Sequence, residues 1–370
     1  MKATRLGSNG FGAGFVAGAA LVAAGGAVVI YSSAVVNVDA AKHHPAIKRY
    51  GAPETSKMRF LSNFVSEFDY RTRTPRWVQE HLSSEQDSRA SRKGVHYKED
   101  DQIEEDFRAL LSHYRRSGYD RGHMAPAANN KGSETSMRES FLLGTNTAPQ
   151  VGAGFNQDYW ARFEQFIRQL RKDCSDVYII TGPLFLPAKK TDNAWQAGWS
   201  FLGTAPKLMS VPTHYFKVVL ADVKPSSPLH KNGKHIVGAF VMPNAQIHPR
   251  MPLSSFVVPL SLLEQASGIR VFPKFFGENR LELKDAVDAI SLEWQNNGKR
   301  LEDHSTNLLL QIQQEDESSL PVTSGSLKTE IESRRQTARK YNLQHICDHS
   351  KCRLPRERFW EQEQSGSKQQ

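Results

Sequence analysis

Three runs of β-branched and aromatic residues constrain this chain most: "DVYIITGPLF" (176–185), "THYFKVVLADV" (213–223) and "HIVGAFVMP" (235–243). Each is of strand length and is punctuated by Gly or Pro, and little helix separates one from the next. That order predicts an α+β fold around a central antiparallel sheet rather than a doubly wound βαβ array. Ahead of them, "QDYWARFEQFIRQLRKD" (157–173) places Trp160, Phe163, Ile167 and Leu170 at helical spacing, with its charges elsewhere, and so predicts an amphipathic helix. A second, shorter helix is expected at "LSLLEQASGI", ended by Gly268.

The 370 residues suffice for one large core with an appendage. Residues 39–59 read as a polar connector containing Pro, and 60–276 as the folded domain. From 277 to 370 the chain turns charged and Ser-rich, which predicts a C-terminal appendage with a helix near 326–341 and a disordered tail. The formal charge of +9 suits a polyanionic partner, either nucleic acid or an acidic membrane surface. Three cysteines in a chain this long do not make a disulfide framework, and no Asn-x-Ser/Thr acceptor is present. Both observations point away from the secretory route.

Between Arg5 and Asp39 there is no charged residue, and "FGAGFVAGAALVAAGGAVVIY" (Phe11–Tyr31) is long enough to cross a bilayer, which takes about 20 residues. Gly10, Gly14 and Gly18 recur every four residues, leaving one helix face as bare backbone suited to close helix contact. Residues 1–38 are therefore expected to be a transmembrane anchor. Its basic, acid-poor start fits a mitochondrial address.

The chemistry concentrates in "SGYDRGHMAPAANN" (117–130). In extended chain Arg121 and His123 leave on the same face, and Gly122 between them permits close approach of a backbone or ligand. Such a pair can hold a phosphodiester through the guanidinium while the imidazole, which titrates near neutrality, accepts a proton from water. Charge on the pentavalent phosphorus then needs a partner, commonly a metal ion. Asn156 opens the amphipathic helix and Glu164 follows eight residues on, about 12 Å along its axis. An amide oxygen is a hard neutral ligand suited to Mg²⁺, with Glu164 holding one of the ion's waters. The same position also suits Asn156 as a simple helix N-cap.

Four motifs in order, "DRGHMAPAANN", "GTNTAPQ", "FNQDYWARFE" and "VYIITGPLF", resemble the DNA/RNA non-specific endonuclease family, in particular its mitochondrial endonuclease G branch. The resemblance runs from "RTPRWVQEHL" through "FVVPLSLLEQASG", over half the chain. It implies a ββα-metal (His-Me finger) nuclease that cuts DNA and RNA to 5′-phosphate products, with His123 as general base and Asn156 as the Mg²⁺ ligand (Mn²⁺ substituting). It further implies that Glu164, Asn146 and Asp120 serve the metal's surroundings and that Arg121 and Arg92 contact phosphate. A homodimer in the mitochondrion, at the inner membrane and facing the intermembrane space, is implied as well. Two departures stand out: Thr145 replaces a frequent Ser, and Leu143-Gly144 breaks the family's habit, with Gly144 expected to loosen local packing.

Competing readings are a nucleic-acid-binding protein that has lost catalysis and a scaffold on the membrane surface. The tail brings His345, Cys347, His349 and Cys352 within eight residues. Zinc, a local disulfide or free thiols all suit that cluster, and the cysteine pair resembles one in fungal relatives. Cys174, beside a predicted strand, reads as a structural thiol.

Overall fold

All three predicted strand runs become neighbours. In the computed structural model the described residues are 45–83, 90–191, 194–298, 333, 336–350 and 352–355. They divide into two units between Pro53 and Glu54. Of the first, the described part is a short helix, Pro45–Tyr50, followed by Gly51 at a φ of 79°, where the left-handed conformation ends the helix. The principal strands of the second are β1 (Ser56–Phe60), β2 (Phe64–Asp69), β3 (Thr74–Ser83), β4 (Tyr119–His123), β5 (Thr147–Val151), β6 (Cys174–Leu184), β7 (His214–Val223), β8 (His235–Pro243) and β9 (Leu343–His345). Seven of these form the main sheet in the order β1-β2-β3-β6-β7-β8-β9. Every pairing in it is antiparallel except β8 with β9, which is parallel.

The middle strands are apolar on both sides. Along β7, Tyr215, Val219, Ala221 and Val223 enter one core, while Phe216, Val218 and Leu220 enter the other. Along β8, Ile236, Phe240 and Met242 alternate with Val237, Ala239 and Val241 in the same way. A strand's period of two sends alternate residues to opposite faces, so both faces of this sheet need a cover.

On the first face lies α1 (Tyr159–Gln169), which buries Tyr159, Trp160, Phe163, Phe166 and Ile167. With it comes a small sheet in which β4 pairs antiparallel with β5, from Tyr119 opposite Val151 to His123 opposite Thr147. Two strands and a helix therefore sit together on one side of the main sheet. On the second face lie α2 (Leu260–Ser267), closed as expected by Gly268 at a φ of 68°, and α3 (Arg280–Gly298). Leu260, Leu263, Leu283, Ala286, Val287 and Ile290 fill that core. Glu264 of α2 joins the two helices: it accepts from Arg280 at 2.7 Å, from Lys284 at 2.5 Å and from the Val271 backbone at 2.8 Å.

Helix α3, beyond the boundary expected at 276, completes the core instead of hanging from it. So does β9, and so do Ile346, Cys347 and Cys352, which are buried in the first core. Cys347 and Cys352 are joined in a disulfide, which resolves the three readings of that cluster and excludes a zinc site built on both thiolates. Of the helix expected near 326–341, residues 333 and 336–340 are helical among those described. Cys174 is a buried free thiol, pushed up to about 12 by burial and then by Asp173 and Asp222, as befits a structural cysteine. The anchor expected over Phe11–Tyr31 and the polar tail lie outside the described residues. Among those described, no helix is long and apolar enough to cross a membrane.

Leu283→Ala tests whether α3 belongs to the fold. Truncating a core leucine costs about 2–5 kcal/mol, so thermal melting should drop markedly and cooperatively. A side chain on a loose appendage would leave the melting temperature unchanged.

Candidate active site

β4 presents the DRGH tetrapeptide as extended chain, so Arg121 and His123 do share a face. Gly122, however, serves a different purpose from the one expected. A Cβ there would overlap the buried Gln150 side chain packed against it, so the glycine admits Gln150 rather than a ligand.

The His123 ring lies against Tyr97 at 5.5 Å and edge-on to Phe141 at 4.8 Å. Each of these rings also carries a guanidinium: Arg121 sits 4.5 Å over Tyr97, and Arg92 sits 5.4 Å over Phe141. Tyr97 is fixed in turn by donating its hydroxyl to the Arg121 carbonyl at 2.9 Å. An aromatic face favours a cation by a few tenths to about 2 kcal/mol and holds it with little lost freedom. The structure thus brings Arg92, Arg121 and His123 together around one aromatic pair. Burial, and then the positive charge of Arg92, lowers the imidazole pKa to about 3, so His123 is neutral at physiological pH. Its Nε2 is buried and makes no hydrogen bond to a described residue.

Asn156 does not cap α1. The chain makes a tight turn over Gly152–Asn156, passing through Gly154 at a φ of 76°, and α1 begins only at Tyr159, with Asp158 in the capping position. The Asn156 amide reaches back to β4 and donates to Asp120 Oδ2 at 2.8 Å, and Gln157 donates to the same oxygen at 2.8 Å. With its –NH₂ held by Asp120, the Asn156 carbonyl is the arm that can ligate. A hard divalent cation that keeps most of its waters fits this donor set. Among the described residues no group of three His, Cys, Asp or Glu side chains could form a closed cage.

Asn146 turns its amide to the backbone around His123. Its Oδ1 accepts from the Ala125 backbone at 2.9 Å, and its Nδ2 donates to the carbonyls of Ala125 at 2.8 Å and Ser140 at 2.7 Å. The side chain is fully buried, and these bonds brace the loop after His123. Gly144, expected to loosen packing, is likewise a tight point: its φ is 69°, and a Cβ would crowd Phe68, Ala109 and the Arg73 carbonyl.

Glu164 stands on α1, one turn beyond Trp160. Burial pushes its carboxyl up to about 7, against the lowering effect of Lys217 and Arg168. Four contributors escaped the sequence reading: Tyr97, Phe141, Glu80 and Lys217. The aromatic pair carried no local signal. Lys217 did carry one, since a lysine in the middle of an apolar strand run is rarely buried without a reason.

Residues 43–276 match the model of the DNA/RNA non-specific endonuclease family. The chain belongs to that family. Membership makes it a hydrolase of nuclease type. Its similarity to mitochondrial relatives sets it in the endonuclease G branch. It is 38% identical over 264 residues to "Nuclease 1, mitochondrial" of Schizosaccharomyces pombe, covering 68% of this chain and 80% of that one. It is 41% identical to the "Mitochondrial nuclease" of Saccharomyces cerevisiae (61% and 69% covered) and 35% identical to human "Endonuclease G, mitochondrial" (61% and 73% covered). A solved structure, "Crystal structure of the EndoG/EndoGI complex: Mechanism of EndoG inhibition", is similar with a TM-score of 0.54 and 38% identity, covering 61% of this chain and 89% of that one. The family match ends at 276, so this nuclease completes its core with α3, β9 and the disulfide-bonded segment outside the matched span.

The two asparagines should separate cleanly. Asn146→Ala leaves buried backbone groups without partners, at about 1–3 kcal/mol each, and should lower the melting temperature by several degrees. Asn156→Ala should melt within about 1 kcal/mol of wild type while losing nuclease activity. A matched fall in melting temperature for both variants would contradict these assignments.

Proposed function

We propose that this nuclease hydrolyses phosphodiester bonds of DNA and RNA, leaving 5′-phosphate and 3′-hydroxyl ends, with His123 as the general base. The observation that carries the reading is the neutral imidazole of His123, with its Nε2 uncommitted, flanked by Arg121 and Arg92. A base must be unprotonated to act, and burial together with Arg92 keeps this one so. In the proposed step the imidazole accepts a proton from water. The resulting hydroxide oxygen bonds to phosphorus, the bond from phosphorus to the 3′ oxygen breaks, and that oxygen takes up a proton to leave as a hydroxyl. Arg121 and Arg92 bind the non-bridging oxygens and counter their growing charge.

Asn156, oriented by Asp120, would hold Mg²⁺ or Mn²⁺ through its amide oxygen, and Glu164 would accept hydrogen bonds from water in that region. When bound, the cation supplies positive charge to the phosphate and the leaving oxygen. A neutral ligand leaves that charge undiminished. The mitochondrial relatives, with the basic N-terminal start, support a mitochondrial address, and the Phe11–Tyr31 run supports anchorage at the inner membrane, facing the intermembrane space.

His123→Ala should lower turnover on plasmid DNA by about 10²-fold or more without changing the melting temperature, and EDTA should abolish wild-type cleavage. Wild-type turnover in that variant would end the general-base assignment, and cleavage undiminished by EDTA would end the metal reading. Because His123 stays neutral down to about pH 3, the acid limb of kcat/KM belongs to Glu164. The carboxylate is present above about pH 7 and is lost as pH falls through it, so activity should rise through that region, and Glu164→Gln should remove the limb. A reporter fused to residues 1–45 should reach mitochondria and resist carbonate extraction; a diffuse cytosolic signal would contradict both address and anchor.

A further inference from the structure

Lys217 lies in the middle of β7, opposite Thr181 of β6, and only 1% of its surface is exposed. Its ammonium donates to Thr181 Oγ1 at 2.8 Å and to the Met124 carbonyl at 3.2 Å, and it stands 4.7 Å over the Trp160 ring. Met124 is the residue after His123, and Trp160 lies one turn before Glu164 on the same face of α1. A single buried cation therefore touches the strand end that carries the base and the helix that carries the carboxylate.

Among the described residues no ion pair at contact distance offsets this charge. Burial lowers the Lys217 pKa; Glu164 and Glu80 oppose that from beyond contact distance, and Arg168 adds a second positive charge to the group. Glu80, on β3, is only 3% exposed. It accepts from Asn129 at 2.7 Å through Oε2, while its Oε1 is buried and makes no hydrogen bond to a described residue. Arg168 reaches the same Asn129 at 3.4 Å. Two carboxylates and two cations are thus grouped where α1 meets the main sheet, Lys217 and Glu80 buried and Glu164 and Arg168 partly exposed. Desolvation makes such a group a weak source of stability, since apolar side chains of similar size usually serve the fold as well or better. A methionine would fill the space of Lys217 without that cost.

We propose that Lys217 is a positioning residue for the nuclease reaction: it tethers the backbone beside His123 to the helix bearing Glu164 and supplies the buried positive charge that balances Glu164 and Glu80. The inference rests on the roles given above to His123 and Glu164. On Glu164 act Lys217 from β7, Glu80 from β3 and Arg168 from its own helix. Removing Lys217 withdraws a charge that favours the Glu164 carboxylate, so Glu164 should hold its proton to higher pH.

Steady-state kinetics across pH on four variants, alongside thermal melts, test this. Lys217→Met should lower kcat by about tenfold or more with KM for DNA little changed and melting equal to or above wild type. Its acid limb should move up by about one pH unit. Adding Glu80→Gln to Lys217→Met removes the carboxylate left in excess, and should bring back much of the rate and move the limb back. Lys217→Gln keeps a donor for the Met124 carbonyl without the charge; it should show the raised limb, and it carries the test should Lys217→Met fail to fold. A wild-type rate and limb in Lys217→Met, or an unshifted limb in Lys217→Gln, would overturn the proposal. So would a loss in Lys217→Met that tracks a lowered melting temperature and is not relieved by Glu80→Gln. Glu164→Gln, measured in parallel, separates the two levels. If it behaves as wild type, the role given to Glu164 fails; if it is impaired while Lys217→Met is not, only the role of Lys217 fails.

Discussion

The two-sided burial of β6, β7 and β8 is the constraint on which the molecule depends. Each central strand sends large apolar side chains to both faces, and apolar surface is stabilised by about 25 cal/mol per Å² removed from water. Neither face tolerates exposure, so each needs a cover. On one side α2 and α3 supply it through Leu263, Val287 and their neighbours. On the other it is the two strands and helix that carry the chemistry, through Met124, Ala148, Trp160 and Phe163. The site is therefore part of the packing that makes the sheet stable. Direct bonds fix its register: Tyr215 donates to the Pro149 carbonyl at 2.7 Å, and Asn244 accepts from the Val151 backbone at 2.8 Å.

Within that cover, one arrangement recurs. Arg121 over Tyr97, Arg92 over Phe141 and Lys217 over Trp160 are each a cation held on an aromatic face. Rigid rings place these charges without needing a carboxylate at contact distance; for Arg121 and Arg92 such a partner would blunt the attraction for phosphate proposed above. The positive field also acts on His123, where Arg92 adds to burial in suppressing protonation. In the proposed function one set of charges would both favour the anionic substrate and keep His123 in the form that can accept a proton. Glu164 experiences the opposite balance, with burial favouring its proton and Lys217 and Arg168 opposing it.

Much of the fold was legible as periodicity. The strands at 176–185, 213–223 and 235–243 and the helix over 157–173 all rest on local alternation of apolar residues, and local alternation is what a sheet or helix face buries. Helix α3 was legible only in part: "RLELKDAVDAISLEWQNNG" places Leu283, Ala286, Val287 and Ile290 at helical spacing, but the charged, Ser-rich chain that follows masks it. It is held by Glu264, sixteen residues before Arg280. The disulfide was visible only as one of three readings of a short Cys/His cluster. The site was legible where a motif supplied its residues, and opaque at Tyr97, Phe141 and Glu80, which stand in unremarkable local sequence; Lys217 showed only as a charge within an apolar run.

The two asparagines mark the division most sharply. By itself the sequence determined that Asn146 and Asn156 lie in motifs adjoining the His123 strand, and that the chain would raise an antiparallel sheet with an amphipathic helix beside it. Only the tertiary structure decided their duties. Asn146 spends its whole amide on backbone at Ala125 and Ser140, 21 and 6 residues away, while Asn156 turns to Asp120, 36 residues away. A side-chain amide has the same donors and acceptors wherever it stands. What it does is set by which groups the fold brings within about 3 Å of it, and those groups come from distant parts of the chain.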